Sequence, residues 1–518
     1  MDERFRTPRG VPFTRLLDLP LERCPDKTAL VDDHESVDFA TLDARARRLA
    51  GAMHAAGARP GDRVALVLPN SVAFVVAEIA ALRAGMVKVP LNFRFHPREV
   101  RQALDDCEPA VLVSDAGFAE RLLALGPLPP SVRAVWTVGG TLADCARLEH
   151  ATESGEPLAQ CVEHGPDDPI LIRYTGGTTG RPKGIVHTAA SFTGIHLDVV
   201  RELSLRPDDV ALHLGHLSHG LNFMWAAFHA VGATQVLRER FDPQAVLDDL
   251  ARHRITFVYM VPTMVQRVLA ADDGSADVSA LRSFLYASAP MPVPVLRAAI
   301  ARFGNVFTQV YTLSEAPVIT TIMRPEEHVE LTSSVGPRLA SCGREVPTMA
   351  LRLVDDAMRD VPAGEVGEIA VRSSNNMAGY WRLPEETART VVDGWLRTGD
   401  LARRDEHGFL HLVDRKKDVI ITGAFNVYPK EVEDVLYLHP GVAACAVVGV
   451  PDADWGEAIR AYVVRAPGST VDAEALVALA RDHLADYKKP RSVVFVDALP
   501  LSPIGKVMRR ALRESSRG

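Results

Sequence analysis

The sequence predicts an α/β protein, with a large N-terminal domain of helix-covered, mostly parallel sheets and a small α+β domain at the C-terminal end. Three observations lead there. Short β-rich runs alternate with amphipathic stretches through the first four hundred residues. From about Glu365 the texture shifts to short strands separated by turns. A chain of 518 residues also exceeds what one hydrophobic core usually supports.

Arg63 to Leu68 reads as a buried strand stopped by Pro69-Asn70, after which Ser71 can cap a helical run to Ala84 that ends at Gly85. Val87 to Pro90, a helix from about Pro97 to Asp105, and Ala110 to Val113 continue the alternation. Further on, Phe241 to His253 reads as a helix and Thr256 to Val261 as a strand. Strands alternating with helices argue for parallel sheets covered on both faces. In the later part, Glu368 to Val371 and Gly408 to Val413 are short strands. The charged run Arg415-Lys416-Lys417-Asp418 then precedes a pattern of strand 419–422, helix 429–438, strands 443–449 and 458–465, and helix 472–485. About one hundred residues of such pattern suffice for a small domain. The expected division is 1–413, a hinge at 414–417, and 418–518.

A hydrophobic share of 47% with 24% charged residues is ordinary globular composition, so neither disorder nor a fibrous repeat is expected. The net charge of −8 gives no global attraction to nucleic acid or to anionic membranes. Six scattered cysteines without a CxxC pair fit reduced thiols in a cytoplasmic protein. Met1 to Arg9 is charged with no apolar core behind it, so no secretory signal is expected. The most apolar stretch, Val64 to Leu82, is broken by Pro69, Asn70 and Glu78, so no membrane span is expected.

Ile170 to Tyr174 reads as a strand that runs into Thr175-Gly176-Gly177-Thr178-Thr179-Gly180-Arg181-Pro182-Lys183-Gly184. Glycines let backbone N–H groups turn toward a phosphate, threonine hydroxyls donate, and Lys183 adds charge. It is not a Walker A loop, because Lys183 is preceded by Pro182 and followed by Gly184. The loop resembles the phosphate loop Y-T-S-G-T-T-G-x-P-K-G of the acyl-adenylate-forming (AMP-binding) superfamily. That superfamily holds acyl- and aryl-CoA synthetases, peptide-synthetase adenylation domains and beetle luciferases. Gly176 replaces the family serine.

Six more segments match in family order along the chain. Gln309 to Glu315 resembles Y-G-x-T-E; the resemblance implies Tyr311 beside adenine, Glu315 as the Mg²⁺ carboxylate and Ser314 as a hydroxyl donor, with Thr312 in the glycine position. Ala287-Ser288-Ala289-Pro290 matches G-G-A-P along adenine and the acyl chain, with both glycines replaced. Gly394 to Asp400 matches W-x-x-T-G-D, which implies Asp400 as the acceptor for both ribose hydroxyls. Val413 to Asp418 matches the hinge, with Arg415 toward ribose or phosphate and Lys417 as the pivot of a mobile small domain. Pro500 to Arg510 matches the C-terminal segment whose lysine, Lys506, bridges carboxylate and α-phosphate. Leu217-Ser218-His219-Gly220 resembles P-L-S-H-G at the acid pocket, with His219 at the carboxylate and His216 in place of the proline.

The resemblance implies a two-step ligase. A carboxylate attacks the α-phosphate of Mg·ATP to give acyl-AMP and pyrophosphate; the small domain then rotates and a thiol takes the acyl group. Ile421 to Glu431 resembles the G-G-x-N-V-Y-P-x-E segment that lines the CoA tunnel, with Gly423 retained and Ala424 in place of the second glycine. Trp455 is expected either to stack on the CoA adenine or to pack. The acid pocket is expected around His219, Phe223, Met224, Ala287 and Ser288, with Trp225 and Phe228 extending a bulky apolar wall. That wall suits a medium acyl chain or an aryl group. The competing acceptors are an acyl carrier protein or another nucleophile, served by a stand-alone adenylating ligase. A non-catalytic nucleotide binder on the same fold is disfavoured by Lys506 and Glu315. The resemblance leaves room for a homodimer, and neither nucleic acid nor a membrane is an expected partner.

Overall fold

The structure is a computed structural model that describes residues 11–143, 145–175, 183–422, 425–452, 455–501 and 507–514. Two large sheets dominate. One has nine strands, and six neighbours within it run parallel, from Phe307–Tyr311 through Ser283–Tyr286, Phe257–Met260, Val210–His213 and Thr234–Leu237 to Thr28–Val31. The other has eight strands, parallel from Pro169–Thr175 through Val87–Pro90, Arg63–Val67, Val111–Asp115 and Ala134–Val138 to Ala146–Arg147. Antiparallel strands close the edges, among them Lys183–Thr188 beside Pro169–Thr175.

The helix Val72–Arg83 shows how sequence sets this packing. Its residues are apolar on every face, the mark of a helix with no solvent side, and all but Ala73 are buried. Ser71 caps it by accepting from the Phe74 N–H, and Gly85 beyond its end takes φ 72°. Glu78 is its one acidic residue. It is fully buried with Lys88 of the neighbouring strand at 3.1 Å, and the Asn222 amide donates to the same carboxylate. A buried pair of this kind is weak evidence for stability, but losing one partner strands the other charge. It therefore ties the segment Gly220–Phe223 to the strand Val87–Pro90.

A third, antiparallel sheet contains Ala350–Val354, Gly367–Arg372, Trp395–Arg404 and Leu410–Arg415. The turn Lys416–Asp418 leads from it into the small C-terminal unit. There Ile420–Thr422, Phe425–Val427, Val442–Asp452 and Gly456–Arg465 pair antiparallel, and Ser492–Phe495 joins in parallel. The helices Pro429–Leu436 and Ala473–His483 contribute Val432, Leu436 and Leu476 to its core, against Val447, Ile459 and Val463. Among the described residues no helix is long and apolar enough to cross a membrane.

Candidate active site

In open α/β sheets ligands gather at the carboxyl ends of the parallel strands. Four neighbouring strands of the nine-stranded sheet reach that edge, three of them leading into expected residues and the fourth carrying Tyr259, which was not among them. Phe307–Tyr311 ends at Tyr311 and Thr312, Ser283–Tyr286 leads into Ala287 to Pro290, Phe257–Met260 carries Tyr259, and Val210–His213 runs on to His219. The second sheet contributes the strand Pro169–Thr175, whose last residue pairs with Lys183 across the hairpin. Gly176, Gly177, Thr178, Thr179 and Gly180 of the expected phosphate loop lie outside the described residues. Lys183 makes a 2.7 Å ion pair with Glu386, with its ammonium 5.3 Å from the Tyr380 ring centre.

The expected ribose acceptor stands in a tight cluster. Asp400 is nearly buried and paired in register with Arg415 on the adjacent strand. The Tyr311 hydroxyl donates to Asp400 Oδ2 at 2.6 Å, and Arg415 Nε lies 3.1 Å from Oδ1. Burial and the Asp400 charge together hold the Tyr311 phenol well above its usual range, so it remains a donor. Each carboxylate oxygen has a second acceptor site for a ligand hydroxyl.

The segment after Tyr311 is held at several points. Thr312, where the family has glycine, uses its hydroxyl to accept from the Val318 N–H at 2.7 Å, and Val318 itself sits at φ 69°. The Ser314 carbonyl accepts from His187 Nε2 at 2.9 Å, and the Glu315 carbonyl accepts from the Met377 N–H at 2.7 Å. The Tyr380 hydroxyl donates to Glu315 Oε1 at 3.0 Å. Glu315 opens onto a cleft of about 320 Å³ bounded also by Leu313, Glu368, Tyr380, Arg397 and Thr398. Among the described residues no three His, Cys, Asp or Glu side chains form a metal cluster. Glu368 is tied to Arg397 and Lys416, so Glu315 is the cleft carboxylate that fits Mg²⁺ brought on nucleotide phosphates rather than a dedicated protein cage.

Ser288 keeps the backbone conformation that the missing glycine would have taken, φ 73°. Such a conformation costs about 1–2 kcal/mol for a residue with a β-carbon. Its hydroxyl lies 2.7 Å from the Tyr259 hydroxyl, which offsets part of that strain. Ala287 is buried, whereas Ser288, Ala289 and Pro290 are exposed along the edge.

The four residues of the expected bulky wall are all buried in one apolar cluster. Phe223 has its ring centre 4.9 Å from the Arg173 guanidinium and 5.2 Å from the His187 ring. Trp225 lies against His229, and Phe228 is edge-on to Phe257. His219 begins the turn Gly220–Phe223, half-buried, with Nδ1 2.6 Å from Arg173 Nη2. Arg173 was not among the expected site residues. The available signal was a lone arginine inside an otherwise apolar strand that feeds the phosphate loop.

On the small unit, Lys417 is exposed in the turn Lys416–Asp418, while Lys506, Gly423 and Ala424 lie outside the described residues. Trp455 is 38% exposed under the Arg491 guanidinium, at 4.4 Å. Phe425, half-exposed, stacks on Tyr487 at 4.6 Å. Both expected roles of Trp455 are compatible with this pose.

Residues 18–381 match the AMP-binding enzyme family, and residues 431–506 match the AMP-binding enzyme C-terminal domain. A feruloyl-CoA synthase from an Amycolatopsis species is 39% identical over 493 residues, covering 94% of this chain and 96% of that one. The amide bond synthetase McbA from Marinactinospora thermotolerans superposes with a TM-score of 0.87 at 34% identity, over 97% of this chain and 99% of that one. The anthranilate CoA ligase AuaEII in complex with anthranoyl-AMP gives a TM-score of 0.90 at 27% identity, over 98% of each. With the family match spanning most of the chain, the chain belongs to the AMP-binding enzymes.

Proposed function

We infer that this chain uses ATP to convert a carboxylic acid into its acyl-adenylate with release of pyrophosphate, then transfers the acyl group to CoA. The observation that carries the reading is the Tyr311–Asp400–Arg415 cluster, with Glu315 and the phosphate hairpin beside it on the strand-end edge. Tyr311 lies beside the adenine, Asp400 takes the ribose hydroxyls, and the triphosphate runs toward Lys183 and Glu315. Lys183 exchanges Glu386 for phosphate. Mg²⁺ on Glu315 supplies neutralising charge to the phosphates.

The acid enters past Ser288 and Tyr259 and brings its carboxylate to His219. A carboxylate oxygen attacks the α-phosphorus, and the bond to the pyrophosphate oxygen breaks. Both reactants are anionic, so positioning and positive charge carry most of the rate. Lys506 is the residue we assign to bridge them. In the second half-reaction the CoA thiolate attacks the acyl carbon, and AMP leaves with the electron pair of the cleaved C–O bond.

The domain division that serves this cycle is 1–413, a hinge at 414–417, and 418–518, with Lys417 as the pivot. Phe223 and Met224 give an apolar pocket for an aryl or medium-length acyl group, and the feruloyl and anthranilate enzymes among the relatives favour the aryl acid. One observation supports a second reading for the acceptor: Ala424 stands where CoA-using relatives carry glycine, and an amide bond synthetase is among the similar structures. The deciding experiment is a pyrophosphate-release screen over aryl, fatty and amino acids, each with and without CoA. Pyrophosphate from an aryl or fatty acid, with thioester only when CoA is present, is the expected result. Pyrophosphate without thioester at any CoA concentration would transfer the second step to a carrier protein or an amine.

A further inference from the structure

Two arginines of the described chain are buried, and they are treated in opposite ways. Arg83 is 1% exposed and meets two carboxylates, Asp18 at 3.0 Å and Asp43 at 2.5 Å. Arg173 is 3% exposed and has no carboxylate of the described residues within ion-pair distance. Its one hydrogen bond runs from Nη2 to His219 Nδ1, the Phe223 ring lies beneath it, and its Nε is buried without a partner. Burial lowers its pKa to about 10, so it stays a cation at neutral pH. A buried cation without a counter-ion is costly, and the fold keeps one at the acid end of the candidate site.

The same contact fixes His219. A guanidinium can only donate, so Nδ1 of His219 accepts and the imidazole carries its proton on Nε2. Arg173 thus holds the ring in the tautomer that offers an N–H donor from its other nitrogen. Glu315 is the carboxylate whose charge favours the protonated guanidinium, and His187 lies on the Phe223 side.

We propose that Arg173 and neutral His219 form the anchor for the ionised carboxylate of the acid substrate, with Arg173 supplying the counter-charge and His219 Nε2–H the second donor. Two anions reach this edge, the acid carboxylate and the nucleotide phosphates. Position favours the carboxylate, because Arg173 sits on Phe223 and His219, whereas Lys183 of the phosphate hairpin lies with Glu386 and Tyr380. Shape favours it too, since a planar guanidinium matches a planar carboxylate. The anchor acts mainly on the bound acid. Once acyl-AMP forms, the carboxylate charge is gone, so the contact serves acid binding more than the later step. This proposal rests on the adenylation reading above.

The test is steady-state ATP–pyrophosphate exchange with the best acid from the screen, on wild type, Arg173→Met and Arg173→Lys. Truncating one partner of a buried charge pair typically costs about thirty-fold or more in affinity. Arg173→Met is expected to raise the KM for the acid by about that factor or more, with the KM for ATP within threefold. Arg173→Lys should restore part of the loss. An alkyl-AMP ester, which lacks the acid carboxylate, should bind Arg173→Met and wild type within threefold of each other, which a merely misfolded pocket would not allow. His219→Gln, whose amide nitrogen reaches the Nε2 position, should retain more activity than His219→Asn, which reaches only Nδ1. A rise in the ATP KM with the acid KM unchanged would overturn the proposal in favour of a phosphate contact. Equal loss of acid and alkyl-AMP binding would overturn it in favour of a structural role, and so would His219→Asn outperforming His219→Gln if Arg173→Met fails to fold. Absence of exchange in the wild type with every acid would overturn the adenylation reading itself, and the anchor with it.

Discussion

Replacing Asp400 with asparagine removes one charge and one acceptor from the nucleotide cluster, and the structure says which. Each oxygen of Asp400 already receives one donor, the Tyr311 hydroxyl on Oδ2 and Arg415 Nε on Oδ1. An amide has a single oxygen, so one of these donors must face the new NH₂. Tyr311 is buried and has no water to turn to, while the Arg415 side chain is 52% exposed and can swing into solvent. The amide oxygen therefore goes to Tyr311, and the NH₂ takes the position facing Arg415. The ribose hydroxyl bound there loses its acceptor, worth about 1.5–3 kcal/mol for a charged partner, and the other keeps a neutral bond about 1 kcal/mol weaker. The total is about 3 kcal/mol, or roughly 150-fold. The assay is the KM for ATP in pyrophosphate exchange at saturating acid, with Tyr311→Phe as a milder companion expected near tenfold. An ATP KM within threefold of wild type in a folded Asp400→Asn protein would remove Asp400 from the ribose site and undo the geometric basis of the functional reading.

Lys506→Ala should lower acyl-AMP formation by about 10²–10³, the effect of removing one preorganised charge contact, and should still convert supplied acyl-AMP to thioester. Equal loss in both half-reactions, measured by single-turnover pyrophosphate and thioester assays, would contradict a role confined to adenylation. Lys417→Pro fixes φ near −65° and should preserve one half-reaction while stopping the other; full overall activity would move the pivot elsewhere. Stability should fall as pH drops from about 6.5 toward 4. Burial lowers the pKa values of His187, His213, His216 and His229 to about 4 and of His196 to about 3. The unfolded chain binds protons at these sites below its own pKa near 6.5 while the folded chain does not, so unfolding takes up several protons across that window. Denaturant midpoints that stay flat between pH 7 and 4.5 would show these rings to be hydrated in solution.

Much of the scaffold was legible because its signals are local. The cap at Ser71, the apolar helix behind it and the stop at Gly85 stand where the sequence put them, as do the strands Arg63–Val67 and Val87–Pro90. The motifs of the nucleotide cluster were equally legible, since each is a short run with fixed chemistry. The strand Trp395–Arg404 was not. Gly399 at φ 73° and the register shift after Leu401 break its alternation, so the sequence assigns no element to the segment carrying Asp400. The apolar run Phe223 to Phe228 was legible as a buried cluster, but sequence adjacency does not say which of its side chains face a ligand. Arg173 escaped notice for a different reason. Its meaning lies in a contact forty-six residues away and in the lack of an ion-paired carboxylate among the described residues, neither of which a local pattern can express.

Lys417 is proposed as the pivot, and the surrounding contacts supply a mechanical reason for that proposal. Lys416 is bound to the large part of the molecule: its ammonium meets the buried Glu368 of the third sheet at 3.0 Å and also Asp356. Glu368 is itself held there by Arg397 and by the Gly399 N–H. Asp418, two residues on, is buried and faces Arg513 of the helix Arg509–Glu514 at 3.2 Å, on the small unit. Lys417 lies between these two pinned residues and is exposed to solvent. If the small unit rotates with both anchors intact, the rotation is confined to the backbone dihedrals around residue 417. Among the described residues the Lys430 N–H donates to Asp414 Oδ2 at 3.0 Å across the turn. A bond of this kind is worth about 0.5–1.5 kcal/mol net, so binding of a nucleotide or of CoA would suffice to offset it.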